Sequence, residues 1–483
     1  MRPPDVILIM CDQWRPDCLG FLGHPVVRTP HLDALAARGA AFVNAYCASP
    51  LCSPARGSWL TGRYPHAHGQ LRNYGSKAGR PGAQMDPAVP TLGDAFKRAG
   101  YRCGIVGPWH LGDDHRPQHG FEDGWETYRY QGAGRPDRFY DYVRAQGLPN
   151  VYDRKDPAMT ARVVEEPGFG RCVYTTCDDL RQQRTTWTVD RGLAFLERHG
   201  GGPEPAFLFL SVKDPHPIIA PPRDLLALYP PAELPLPPNL DDPLAGKPRY
   251  QTEAPYRLPV PVDRAAFRRL LAHYYALLTH VDREVGRIVA HLERAGRLDN
   301  TLLAFISDHG EMLGEHGLLA KNKFYEPSVR VPCLVSLPGR VRAGQRVRTP
   351  LAGVDLAPTL LDLAGAPPLA DIDGRSLAAA LRAGREPEPQ PVFAELCSPA
   401  AQKGRTDDES GLAAHLMVRD GDWKYVRNRD DLDELYDLAA DPGEMVNLAA
   451  EASSAPRIAR LRDLGRQMLL RHGPGAYSWF VRN

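Results

Sequence analysis

The twelve residues Cys52-Ser53-Pro54-Ala55-Arg56-Gly57-Ser58-Trp59-Leu60-Thr61-Gly62-Arg63 carry the sharpest chemical signal in the chain. Ser53 is a good helix cap and Pro54 a good first helical residue, so the spacing predicts a helix with Cys52 just ahead of it. The free N–H groups and dipole at such an end favour an anion or a developing negative charge. Arg56 falls about one turn in, facing the same end. The plainer alternative is a buried cysteine before a capped helix, which is common. Two other pairs stand where open α/β sheets place their sites, beyond the carboxyl ends of strands. Asp12-Gln13 closes the apolar run that begins at Val6, and Asp308-His309 closes Thr301–Ser307. Taken singly, each pair reads as a loop carboxylate.

The segment from Cys52 resembles the sulfatase family, part of the alkaline phosphatase superfamily. That family's motif, Cys-x-Pro-x-Arg followed by Leu-Thr-Gly, is met at Cys52, Pro54, Arg56, Leu60, Thr61 and Gly62. The resemblance implies that Cys52 is oxidised after translation to formylglycine by a formylglycine-generating enzyme. An aldehyde hydrate carries two hydroxyls on one carbon. One, acidified by a divalent metal, attacks sulfur in line and displaces the alcohol; the other then loses its proton as the carbonyl re-forms and sulfate departs. An ordinary serine ester has no such internal route of release.

The same resemblance makes Asp12, Gln13, Asp308 and His309, with residue 52, a metal cluster. Oxygen donors with two carboxylates suit Ca²⁺, and the His309 nitrogen would also tolerate Mn²⁺. Calcium is the expectation. Asp308–Gly317 followed by Ala320–Glu326 is similar to a second family segment, which makes Lys321 a sulfate contact and leaves Lys323 a bystander. Asp214-Pro215-His216-Pro217 matches the family's Pro-His element and implies His216 as proton donor to the leaving alcohol. Gly107-Pro108-Trp109-His110-Leu111-Gly112 matches Gly-Lys-Trp-His-Leu-Gly with His110 kept, to hydrogen-bond hydrate or sulfate, but with Pro108 in place of the lysine. A site missing that cation should favour monoanionic esters over phosphate monoesters, which carry nearly two charges. Asn73 aligns with an asparagine that some members aim at the ester oxygens. Later segments, Val354–Gly365, Asp373–Leu377 and Glu434–Leu438, also look like family turns and caps.

These residues need a framework, and the chain is built for one. Its 483 residues can bury a large core, and 43% hydrophobic with 24% charged residues excludes a disordered chain. With 59 Lys and Arg against 58 Asp and Glu, the net charge of +1 speaks against nucleic-acid binding. No apolar run approaches the ~18 residues needed to span a bilayer, and 6–11 reads as a buried strand, not a targeting segment. Nine scattered cysteines suit a reducing compartment, so a soluble cytoplasmic protein is expected. Cys47 with Cys52, Cys172 with Cys177, and His66 with His68 lack the second pair a zinc site would need.

Short apolar strands alternate with amphipathic helices, the pattern of an α/β fold: a large mixed, mostly parallel sheet sandwiched by helices. Expected strands lie at 6–11, 102–106, 206–212 and 301–307, with helices from Thr29-Pro30, from Pro90-Thr91, at 180–198 and at 264–295. Residues 230–262 are too rich in proline for regular structure and, with 113–180, are expected to shape the substrate pocket. Arg385–Pro391 reads as a stiff linker, dividing a catalytic domain (1–384) from a smaller C-terminal α+β subdomain (385–483) with an antiparallel sheet and a helix near 455–471. Trp14, Tyr74 and Trp109 are either pocket walls or packed aromatics.

The implied activity is hydrolysis of a sulfate monoester, on a small molecule or a saccharide, to alcohol and sulfate. The nearest rival is a phosphonate monoester hydrolase or phosphodiesterase on the same scaffold. A catalytically silent binder of sulfated ligands is the rival from another class, with Pro108 as the feature pointing that way.

Overall fold

The fold is described here from a computed structural model covering residues 2–74, 84–128, 137–153, 156, 162–166, 169, 172–200, 202–254, 256–399 and 412–482. Its first nine strands are β1 (Asp5–Asp12), β2 (Ala40–Tyr46), β3 (Arg102–Val106), β4 (Gly124–Glu126), β5 (Ala206–Pro215), β6 (Thr301–Ser307), β7 (Arg330–Ser336), β8 (Gln345–Val347) and β9 (Leu351–Ala352). Among the described residues they form one sheet in the order β4-β3-β5-β1-β6-β7-β2-β8, with β9 also on β2. Only β7 runs against its neighbours; the other pairings are parallel.

The central strands are apolar without a break because both faces are covered. In β1, Ile7, Ile9 and Cys11 enter one core cluster while Val6, Leu8 and Met10 enter the other. In β5 and β6 the alternation continues, with Leu208, Leu210, Leu303 and Phe305 on the first face and Phe207, Phe209, Leu302 and Ala304 on the second. The covering helices are α1 (Pro30–Arg38), α2 (Cys52–Thr61), α3 (Leu92–Arg98), α4 (Arg184–His199), α5 (Arg264–Arg294) and α6 (Leu356–Ala364). The expected long helix is α5; Asp263 caps it by accepting from the Ala265 and Ala266 amides at 3.0 Å each.

A second, four-stranded antiparallel sheet follows: β10 (Val392–Pro399), β11 (Leu412–Asp420), β12 (Trp423–Asn428) and β13 (Glu434–Asp437). One face takes α7 (Ala455–Leu470), through Leu416, Val418, Tyr425, Leu461 and Leu469. From the other, Val392, Ala394, Leu396, Met417 and Val426 join the second core cluster of the large sheet. Among its described residues, the proline-rich stretch 230–262 has two short helical turns, Pro231–Glu233 and Arg249–Thr252, and an isolated bridge from Arg257 to Leu318.

Candidate active site

Register brings the first two carboxylates together. Cys11 pairs with Ser307 across the parallel strands β1 and β6, so the residues that follow, Asp12 and Asp308, leave the sheet side by side. The turn is stitched: the Gln13 amide donates to Asp308 Oδ1 at 3.1 Å and the Trp14 amide to Ser307 Oγ at 2.9 Å. Gln13 adopts φ 74, a left-handed conformation unusual outside glycine and frequent at functional sites. Tyr274 of α5 holds it there, its hydroxyl donating to the Gln13 carbonyl at 2.8 Å.

The helix start differs from the sequence expectation. α2 begins at Cys52 itself, with Leu51 in the capping position and without a side-chain cap. Ser53 is pulled elsewhere: its hydroxyl donates to the His110 carbonyl at 2.6 Å and accepts from the Tyr74 amide at 2.9 Å. Those tertiary bonds outweigh the local preference of serine for a cap. The Ser53 amide donates instead to Asn73 Oδ1 at 3.0 Å.

Ligand atoms of Asp12, Cys52, Asp308 and His309 lie within 4.8 Å of one another, all on buried residues. Cys52 Sγ is 3.2 Å from His309 Nε2 and 3.9 Å from Asp12 Oδ1. His309 Nδ1 is 2.9 Å from the Gly310 carbonyl, which makes Nδ1 the protonated nitrogen and turns a lone pair on Nε2 toward the cluster. Behind the carboxylates, Arg56 donates Nε to Asp308 Oδ2 at 3.0 Å and Nη2 to Asp12 Oδ2 at 3.2 Å, and Nη1 reaches Ser211 Oγ at 2.7 Å. A guanidinium between two buried acids offsets their mutual repulsion. Burial, then the Asp12 charge, pushes Asp308 up to about 7. Asp12 goes the other way: burial opposes its charge, but His216, Lys321 and Arg56 together pull it well below the carboxylate range.

Above the cluster, Lys321 Nζ donates to Gln13 Oε1 at 2.6 Å and to Cys52 Sγ at 3.3 Å. The Gln13 amide group is oriented from its other end, where Nε2 donates to Glu311. Glu311 is itself fixed by the Leu313 and Ala320 amides at 2.9 and 2.6 Å. Gln13 and Lys321 also line a cleft of about 310 Å³, together with the polar Asn73, Lys213 and His216 and the apolar Leu51, Val173, Ile218 and Tyr256. Val173 and Tyr256 come from the two stretches expected to shape the pocket. Burial and then Lys321 hold the His216 ring well below the ordinary histidine range, and burial with Arg56 does the same to His110.

The predicted residues thus fall in one place, with His110 touching the site through its carbonyl on Ser53. Lys323 lies apart, its ammonium 5.3 Å from the Tyr250 ring. Trp14 and Trp109 are packed aromatics, Trp14 edge-on to Phe305 and Trp109 among His119, Phe121 and Trp125. Pro108 sits on the turn opened by Gly107, whose φ of 97 and approach to the Ser211 carbonyl leave no room for a Cβ. The Pro108 carbonyl accepts from Arg56 and from Ser211 Oγ, the latter at 2.6 Å. Ser211, Lys213 and Glu311 escaped the sequence reading; the available signals were polar side chains in or just after otherwise apolar strands.

Residues 4–366 match the family model for sulfatases. The chain belongs to the sulfatase family. A second match, to the C-terminal part of N-sulphoglucosamine sulphohydrolase, covers residues 314–468 of this sulfatase. It is similar to a choline-sulfatase of Rhizobium meliloti, 31% identical over 92% of this chain and 82% of the relative. An arylsulfatase of Clostridium perfringens is 28% identical over 95% and 93%. Among solved structures, the phosphonate monoester hydrolase of Agrobacterium radiobacter superimposes with a TM-score of 0.79 at 26% identity, covering 97% of this sulfatase and 96% of that chain.

Proposed function

We propose that this sulfatase cleaves a sulfate monoester to alcohol and sulfate, using formylglycine made from Cys52 and one divalent cation. The observation that carries the reading is the four-residue cluster of Asp12, Cys52, Asp308 and His309, joined through Gln13 and Lys321 to a cleft that also holds Lys213 and His216. Two carboxylates, an imidazole Nε2 and an oxygen on a converted residue 52 form a donor set suited to a divalent ion, with the Gln13 amide oxygen beside them. Such an ion would cancel the carboxylate charge and acidify the oxygen nucleophile on residue 52. Ca²⁺ is the proposed metal on its carboxylate donors; the nitrogen of His309 keeps Mn²⁺ as the alternative.

The chain's own groups supply the rest. Arg56 keeps both carboxylates pointed at the cluster. Lys321 and Asn73 hold the ester oxygens, and Lys321 also stabilises negative charge on residue 52. His110 backs the first turn of α2. His216 takes up a proton as an anionic ester offsets the cations around it, and then delivers that proton to the leaving alcohol. Residues 1–384 would form the catalytic part and 385–483 the smaller one. A reducing compartment, the cytoplasm, is supported by nine buried cysteines that stand as thiols; maturation would require a formylglycine-generating enzyme.

The second reading, a phosphonate monoester hydrolase or phosphodiesterase, is favoured by the similarity to the Agrobacterium enzyme. Comparing aryl sulfate, aryl phosphonate and aryl phosphodiester separates the two: a kcat/KM highest on the sulfate is expected. Intact mass should reveal the aldehyde at position 52 in protein from its native host, and Cys52→Ala should abolish turnover with the fold intact. Undiminished hydrolysis by that variant would refute the assigned nucleophile.

A further inference from the structure

Strand β5 does not run evenly against β1. Cys11 pairs with Val212 but Asp12 pairs with Pro215, so the register shifts and β5 runs ahead by Lys213 and Asp214. Irregularities of this kind re-aim side chains and recur beside active sites. Asp214 turns inward, accepting from Arg184 Nε at 2.6 Å and Thr185 Oγ1 at 2.5 Å. Lys213 turns the other way, into the cleft that it shares with Lys321, His216 and Gln13. The turn is closed by the His216 amide, which donates to the Lys213 carbonyl at 3.0 Å. The Lys213 charge acts on both the His216 and the His110 rings.

We propose that Lys213 is a substrate-binding cation, holding the charged oxygens of the ester from the β5 side of the cleft. It supplies from β5 the positive charge that Pro108 takes away from the turn after β3. The assignment rests on the cleft being the ester site. A half-buried ammonium in this position is costly: desolvation, followed by the Arg184 guanidinium, draws its pKa down to about 7. An incoming anion relieves that cost, so the charge is strengthened when substrate arrives. The family lysine would stand after β3, whereas this cation stands on the neighbouring strand β5.

Inorganic sulfate binding to a Cys52→Ala background, measured by isothermal titration calorimetry with Ca²⁺ present, reads this contact without turnover. Lys213→Met should weaken sulfate about 10- to 100-fold, the size of a lost charge-assisted contact, and Lys213→Arg should return most of it. In the intact enzyme the Met substitution should raise KM for an aryl sulfate far more than it lowers kcat. Sulfate affinity within twofold of the parent overturns the proposal, as does a parent that binds no sulfate, or turnover lost at unchanged KM. Should the Met variant not fold, Lys213→Gln is read by the same criteria. A wild-type protein that cleaves no sulfate ester would sink the hydrolase reading, while the affinity comparison would still decide Lys213.

Discussion

Asp308 accepts from Arg56 Nε at 3.0 Å with neither side chain exposed to solvent. Since the same guanidinium reaches Asp12, removing it leaves two buried carboxylates facing each other. Arg56→Gln should therefore cost roughly 3–5 kcal/mol of stability, measured by urea unfolding in EDTA. Added Ca²⁺ should recover part of the loss, because the cation takes over the neutralisation. A loss below ~1 kcal/mol, the scale of an exposed ion pair, would show that the arginine does not hold the pair.

Metal removal is the companion experiment. EDTA should abolish hydrolysis and lower the melting temperature. Returning Ca²⁺ at 100 times its Kd should stabilise by about 2.7 kcal/mol. Calorimetric titration with Ca²⁺ and Mn²⁺ ranks the two ions; a melting temperature indifferent to both would contradict the proposed centre.

Glu311 orients Gln13 by accepting from its Nε2. In Glu311→Gln one amide group would face another, and the Gln13 side chain should turn its oxygen away from Lys321. We expect metal affinity to fall about 10- to 100-fold, as when an outer partner of a ligand is removed. Metal titration is the readout, with circular dichroism expected to stay unchanged.

His66, near the start of the Pro65–His68 turn, meets Glu395 of β10 at 2.5 Å, both side chains buried. Burial alone would lower the His66 pKa, but the Glu395 charge and hydrogen bond outweigh it and raise it above 6.5. A raised histidine pKa gives stability that is full below the unfolded value and fades as pH climbs through the folded one. The stability gap between wild type and His66→Gln should thus be about 3 kcal/mol near pH 6. It should shrink as pH rises toward 9, where the imidazole is neutral and only its N–H hydrogen bond to the carboxylate remains. Urea unfolding at the two pH values checks this; a gap that widens with pH would reverse the assignment.

Much of the site was legible because its spacing is local. Cys52 and Arg56 share one helix, and four residues along a helix is one turn, so a motif and its chemistry survive without any fold. The period of the apolar residues likewise announced β1, β5, β6 and α5, since buried strands and helices must repeat as their backbones do. The Ser53 cap failed at the same scale, overruled by bonds to His110 and Tyr74 that no local preference contains.

The sequence by itself determined which residue types were available and which strand ends they followed. The tertiary structure alone decided which strand ends are neighbours, joining Gln13 to Asp308 across 295 positions, and where β5 slips to turn Lys213 into the cleft. The reason is physical: what meets along a helix follows from backbone geometry, whereas strand register is settled by hydrogen bonds and packing between segments far apart in the chain.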